Sequence, residues 1–143
     1  MSSEIEIKMP LVAPGIFSLP AGDGSPPQLL GGLCPACQRH FFPRPRYCPV
    51  CLGPLEEVSL GATGTIYSFT VVRIKPPLGL PRPYSIGYVD LDDAALRIFC
   101  LLDPNSINQL QVGLPVELAV GPIGHDVRGA VCLRPFFKPR KND

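Results

Sequence analysis

Two Cys-x-x-Cys pairs, Cys34-Pro-Ala-Cys37 and Cys48-Pro-Val-Cys51, stand ten residues apart in this chain, and no other feature limits its folding as strongly. Thiols in doubled pairs are either disulfides or metal ligands, and the redox compartment decides which. Residues Met1 to Lys8 mix Glu4, Glu6 and Lys8 with Ile5 and Ile7, with neither the basic start nor the apolar centre of a secretory signal. No stretch approaches the roughly 20 apolar residues of a spanning helix. The expectation is a cytoplasmic protein without a membrane segment, whose four cysteines bind metal.

Zinc is the expected metal. Each pair offers two thiolates from a tight knuckle stiffened by Pro35 or Pro49, and knuckle amides soften the sulfur charge. Ten intervening residues suffice for a short hairpin that brings Cys34, Cys37, Cys48 and Cys51 to one ion. Iron bound as in a rubredoxin fits the same four thiolates, and a pair of disulfides or free buried thiols is the reading without metal. Colour separates the metals, since an iron–thiolate protein is red. Four cysteine ligands leave no open coordination position, so the metal is structural. A module of about twenty residues is too small to bury a core, and metal binding worth roughly 10–16 kcal/mol supplies its folding energy.

The remainder reads as β structure. Of 143 residues 19 are proline and 14 glycine, which leaves little room for long helices. Residues 1–32 carry Pro10, Pro14, Pro20, Pro26 and Pro27 among glycines and read as an extended arm, with 33–54 the zinc ribbon. Strand-like runs follow at Gly64 to Arg73, Tyr84 to Leu91, Leu96 to Leu102, Pro115 to Val120 and Ala130 to Phe136. Asp103 and Pro104 are suited to start one short helix over Pro104 to Leu110. Five strands with a helix between the third and fourth follow the plan of an OB-fold barrel, placed over 55–137 ahead of a basic tail at 138–143. A sandwich is the alternative arrangement of such short apolar runs.

Chemistry beyond the metal is sparse. Cys100 and Cys132 fall inside strands, where cysteine acts as a small hydrophobe. His40 and His125 lie apart from any acid, base or nucleophile pattern, and Asp90, Asp92 and Asp93 read as a solvated turn. No catalytic set, phosphate loop or dinucleotide fingerprint is present in the sequence. A net charge of +1 gives no field able to hold duplex DNA. A single-stranded nucleic-acid binder, with Tyr67, Phe69 and Tyr84 stacking on bases, remains the rival function. On the first barrel strand, strict alternation places Tyr67, Phe69 and Val71 on one face and Ile66 and Val72 on the other.

Five segments together resemble one family: Leu29-Leu-Gly-Gly-Leu-Cys-Pro-Ala-Cys37, Phe41-Phe-Pro-Arg-Pro-Arg-Tyr-Cys-Pro-Val-Cys51, Gly61-Ala-Thr-Gly-Thr-Ile-Tyr-Ser-Phe-Thr70, Pro83-Tyr-Ser-Ile-Gly-Tyr-Val-Asp-Leu-Asp92 and Leu133-Arg-Pro-Phe136. It is the family of acyl-CoA-associated zinc-ribbon OB-fold proteins that accompany thiolases, and the likeness spans roughly residues 28 to 137. The resemblance implies a rubredoxin-like ribbon followed by an OB-fold, acting as the small subunit of a hetero-oligomer. The thiolase-like partner would carry the catalytic cysteine and histidines, and no catalytic residue is expected in this chain. Members are associated with acyl-CoA thiolysis or condensation, hydroxymethylglutaryl-CoA synthesis in archaea and retro-aldol cleavage of steroid side chains. The proline-rich arm and Leu29-Leu-Gly-Gly fit the branch that serves benzoylsuccinyl-CoA thiolases in anaerobic toluene breakdown.

The family's metal ligands carry over onto Cys34, Cys37, Cys48 and Cys51. Its usual N-terminal amphipathic helix does not, because Pro10, Pro14 and Pro20 stand in its place. Arg39, Arg44 and Arg46 in or beside the ribbon, with Arg73 and Lys75 after the first barrel strand, are candidates for the phosphates of coenzyme A. Solvated charges that keep a small module soluble would read the same way.

Overall fold

A computed structural model describes residues 15–19 and 26–140. Most of the expected arm and the end of the basic tail lie outside them. The described residues form nine strands and one turn of 3-10 helix.

The first four strands build a small sheet around its second member. β1 (Phe17–Ser18) and β3 (Arg39–Phe41) pair with β2 (Gln28–Cys34) at its two ends, through Phe17↔Leu29 and Cys34↔Arg39. β4 (Glu56–Gly61) pairs opposite Leu29 to Leu33, along the other edge. Composition marked residues up to 32 as an arm, yet Phe17 and Leu29 are among the most deeply buried side chains. Pro26 and Pro27 stand just before β2 rather than within it, so they deprive no ladder of a donor.

The remaining strands close into the expected barrel. β5 (Thr63–Val72), β6 (Tyr84–Leu91), β7 (Arg97–Leu102), β8 (Pro115–His125) and β9 (Val131–Pro139) follow the order β5-β6-β7-β9-β8, with β8 returning to β5. All pairings are antiparallel except β7 with β9. β8 runs five residues past the expected end at Val120.

Two expectations are corrected. The helix over Pro104 to Leu110 is a single 3-10 turn at Ile107–Gln109. The Asp103 carboxylate accepts from the Asn105 N–H at 3.0 Å and the Ser106 hydroxyl at 2.7 Å, a local turn that competes with helical propagation. The second correction concerns β5, whose pairing to β6 shifts register between Ile66 and Ser68. This bulge inserts one residue and reverses the inward and outward faces beyond it. Tyr67 is thus left exposed while Phe69 packs against the core, so they do not share a face. Gly87 sits opposite Phe69, where a β-carbon would collide with the Ser68 carbonyl oxygen.

One hydrophobic core serves both parts. Leu29 of β2 and Leu60 of β4 join Ile66, Val89, Val116 and Phe137 of the barrel in a single buried cluster. Fully burying a leucine side chain is worth roughly 1.5–3 kcal/mol, so these two contacts tie the small sheet to the barrel. Leu60→Ala is expected to lower unfolding stability by about 2–5 kcal/mol. Urea denaturation followed by tyrosine fluorescence measures it, and a loss below about 1 kcal/mol would mean the sheet is not anchored there.

Candidate metal centre

β2 delivers the first knuckle directly, since Cys34 is its last residue and Cys34↔Arg39 closes the β2–β3 hairpin around Cys37. The second knuckle returns before β4. The two share a backbone turn but differ in which N–H meets the sulfur. In each, a backbone N–H reaches the first cysteine's sulfur at 3.4 Å, from Cys37 to Cys34 Sγ and from Val50 to Cys48 Sγ. In each, the residue after the second cysteine donates its N–H to the first cysteine's carbonyl at 2.8 Å, from Gln38 to Cys34 and from Leu52 to Cys48.

The turns bring all four sulfurs within 4.8 Å of one another. Cys34 Sγ lies 3.5 Å from Cys51 Sγ, and Cys37 Sγ 3.9 Å from Cys48 Sγ. A disulfide requires about 2.05 Å, so the cross-knuckle pairs are not bonded to one another. Ligands on a tetrahedral zinc with bonds of about 2.3 Å sit about 3.8 Å apart, which the two sulfur separations bracket. The donor set therefore fits a zinc ion.

The crowded sulfurs shift one another's proton affinities in opposite directions. Cys37 is pushed up to about 12, chiefly because it shares a proton with the Cys51 sulfur. Cys48 is lowered to about 7, chiefly by a backbone N–H of Cys51. Crowded thiolates repel one another, and a divalent cation at their centre removes the need for protons.

Gln38 (φ 56°) and Leu52 (φ 63°) occupy the left-handed region that favours glycine. Leu52 is also 75% exposed, so its side chain contributes little packing in return. Glycine has no β-carbon penalty there.

The candidate arginines lie on two segments. Arg39 in β3 and Arg46 between the knuckles are exposed, as are Arg73 and Lys75 in the connection from β5 to β6. Arg44 is engaged otherwise: its stem crosses Gly32 of β2, and its guanidinium lies 3.9 Å from Glu57. Asp90 takes both ends of Arg97, at 2.6 and 3.2 Å, while Asp92 and Asp93 are exposed on the following turn. The trio offered for base stacking is not available as such. Tyr84 is buried, Phe69 faces the core, and the Arg97 guanidinium covers the Tyr67 ring at 3.3 Å from its centroid. Cys132 is buried, and burial pushes the Cys100 thiol up to about 12, as suits small apolar fillers.

Arg134 escaped sequence reasoning. It is 8% exposed and donates to the carbonyls of Ile123 at 2.8 Å and His125 at 3.1 Å, holding the far end of β8. Gly124 (φ 64°) makes this possible, because a β-carbon there would stand 2.7 Å from Nη1. A lone arginine between Leu133 and Pro135 carries no periodic signal of such a role.

Three outcomes follow for the centre. Cys48→Ser should abolish stoichiometric zinc by elemental analysis, whereas Cys132→Ser retains it. Zinc loading should fall as pH drops, because protons compete for thiolates that the metal holds ionised, and a colorimetric zinc-release titration reads this. Leu52→Gly should keep zinc and leave stability unchanged or raised by up to about 1 kcal/mol in thermal unfolding.

The comparisons with known proteins agree with this geometry. Residues 23–56 match the model of the ChsH2 rubredoxin-like zinc ribbon domain, and residues 57–121 that of the ChsH2 C-terminal OB-fold domain. The chain is 38% identical over 121 residues to benzoylsuccinyl-CoA thiolase subunit BbsA of Thauera aromatica, covering 84% of this chain and 81% of that one. It is 29% identical over 118 residues to a DUF35 domain-containing scaffold protein of Methanocaldococcus jannaschii, covering 80% and 83% of the two chains. Among solved structures, the Ltp2-ChsH2(DUF35) aldolase matches with a TM-score of 0.62 and 26% identity, over 78% of this chain and 84% of that one. With the ligand cluster, the shared-core barrel and the sequence likeness in agreement, the chain belongs to the ChsH2-like family, in which a rubredoxin-like zinc ribbon is joined to an OB-fold domain.

Proposed function

We propose that this protein is a zinc-containing, non-catalytic small subunit of a thiolase-type acyl-CoA complex. It completes or caps the acyl-CoA site of a catalytic partner that performs thiolysis or condensation of a 3-oxoacyl-CoA, in the cytoplasm. The observation that carries this reading is the 38% identity, across 84% of the chain, to a subunit of benzoylsuccinyl-CoA thiolase. That relative also favours an aromatic acyl group.

The chemistry of the chain is consistent with an auxiliary role. Cys34, Cys37, Cys48 and Cys51 would hold the zinc, which when bound supplies rigidity and no vacant coordination position. Several polar groups are committed to local structure: Asp90 to Arg97, Asp103 to its own turn, Asp126 to the N–H groups of Arg128 and Ala130. Arg39 and Arg46 are exposed on the ribbon and are the foremost candidates for a coenzyme A phosphate, with Arg73 and Lys75 the second pair. Arg44 already faces Glu57 and is the weakest of the five.

A second reading is that the partner is an aldolase acting on an acyl-CoA, favoured by the likeness to the Ltp2-ChsH2(DUF35) aldolase. Both readings share the assembly and differ in the bond broken.

Co-expression of the tagged chain with a thiolase-like catalytic chain tests the assembly. A stable complex with about one zinc per small subunit is expected, with acyl-CoA cleavage at least about tenfold slower without this chain. Arg39→Ala with Arg46→Ala should raise KM for the thioester by roughly tenfold while kcat changes little, since a lost charged hydrogen bond is worth about 1.5–3 kcal/mol. Recovery of the tagged chain alone, beside a partner equally active without it, overturns the proposal. Free coenzyme A dependence separates thiolysis from aldol cleavage.

A further inference from the structure

The closed barrel has one seam of little pairing. β7 and β9 share one register pair, Leu102↔Phe137, and an adjoining bond of 2.8 Å from the Asp103 N–H to the Phe137 carbonyl. Beyond that point β7 is held only by β6 and β9 only by β8. Their facing edges part around a cleft of about 290 Å³, walled by Phe99 and Leu101 of β7 and by Pro135 and Phe136 of β9. Ile16, just before β1, and Phe42, just after β3, reach the same cleft.

Three observations specify what fits there. Strand edges without a neighbour offer backbone donors and acceptors that another extended chain satisfies best. The walls are apolar almost throughout, and Phe99 is 56% exposed. Arg134 also lines the cleft, is nine-tenths buried, and takes part in neither of the two ion pairs among the described residues. A buried cation with only carbonyl partners draws a carboxylate.

We propose that this cleft receives an extended segment of the catalytic partner, added as a strand between β7 and β9, with apolar side chains in the cleft and a carboxylate toward Arg134. The inference rests on the reading of the chain as an auxiliary subunit. Such a strand would touch the barrel wall and the small sheet together, and so would fix the ribbon's attitude to the partner.

Backbone amide hydrogen exchange on the zinc-loaded chain, free and in complex with the catalytic chain, tests it. The amides of Phe99, Leu101 and Leu133, which alternate with those bonded to β6 and β8, should slow at least tenfold on complex formation. Phe99→Lys should weaken the complex at least tenfold while zinc content stays unchanged, and Val127→Lys, on the exposed β8–β9 turn, should leave it intact. A complex in which the seam amides exchange as fast as in the free chain overturns this inference and leaves the subunit reading standing. Seam amides already protected in the free chain, and released by removing residues 1–14, would assign the cleft to the chain's own N-terminus and overturn it too. Failure to form any complex overturns both.

Discussion

Two paired strands, β2 and β4, join the hydrophobic core to the metal centre, and the small sheet depends on them. β2 carries Leu29, its second residue, packed among barrel residues and ends with Cys34 at the sulfur cluster. The ribbon is too small to bury a core of its own, so it needs both ends of that connection: four sulfurs drawn to one ion and a leucine drawn out of water. β4 runs along the opposite edge and repeats the arrangement, with Leu60 in the core and the second knuckle just before it. Gly31 and Gly32 keep β2 slim where it is most crowded. A β-carbon at Gly31 would meet the Phe41 carbonyl and the Leu60 side chain, and one at Gly32 would meet the stem of Arg44.

This architecture bears on function through what it closes off. Four thiolates satisfy a tetrahedral metal, and the barrel interior is filled by side chains from Ile66, Val89, Val116 and Phe137. What the fold leaves open lies on its exterior: the seam between β7 and β9, the exposed arginines of the ribbon, and the tilted Tyr88–Phe99 pair with ring centroids 5.2 Å apart. Under the proposed reading these features would meet the partner; the relatives are named as a subunit of a thiolase and as a scaffold.

Much of the plan was legible because it rests on local signals. The cysteine spacing singled out the four thiols that the fold gathers within 4.8 Å, and β-branched and aromatic runs bounded by proline and glycine located all five barrel strands. The errors share one cause. Tyr67 and Phe69 were assigned to a common face because alternation assumes an unbroken ladder, and the bulge that separates them arises from pairing with β6. Asp103 and Pro104 have the chemistry of a helix start, but the carboxylate is consumed by its own turn. The strands at Phe17–Ser18 and Gln28–Cys34 were hidden by surrounding prolines, although each finds its partner through residues distant in sequence.

The sequence by itself determined which four thiols could share one ion, since two doubled pairs at that spacing have few other uses, and the β character of the rest, since period-two apolar runs suit little else. Only the tertiary structure decided which side chains face the core, where the barrel is closed by least pairing, and which arginines are already engaged. The reason is physical. Ligand spacing and alternation act within a few residues, whereas bulges, seams and the burial of Arg134 depend on which strands meet and how far their pairing extends.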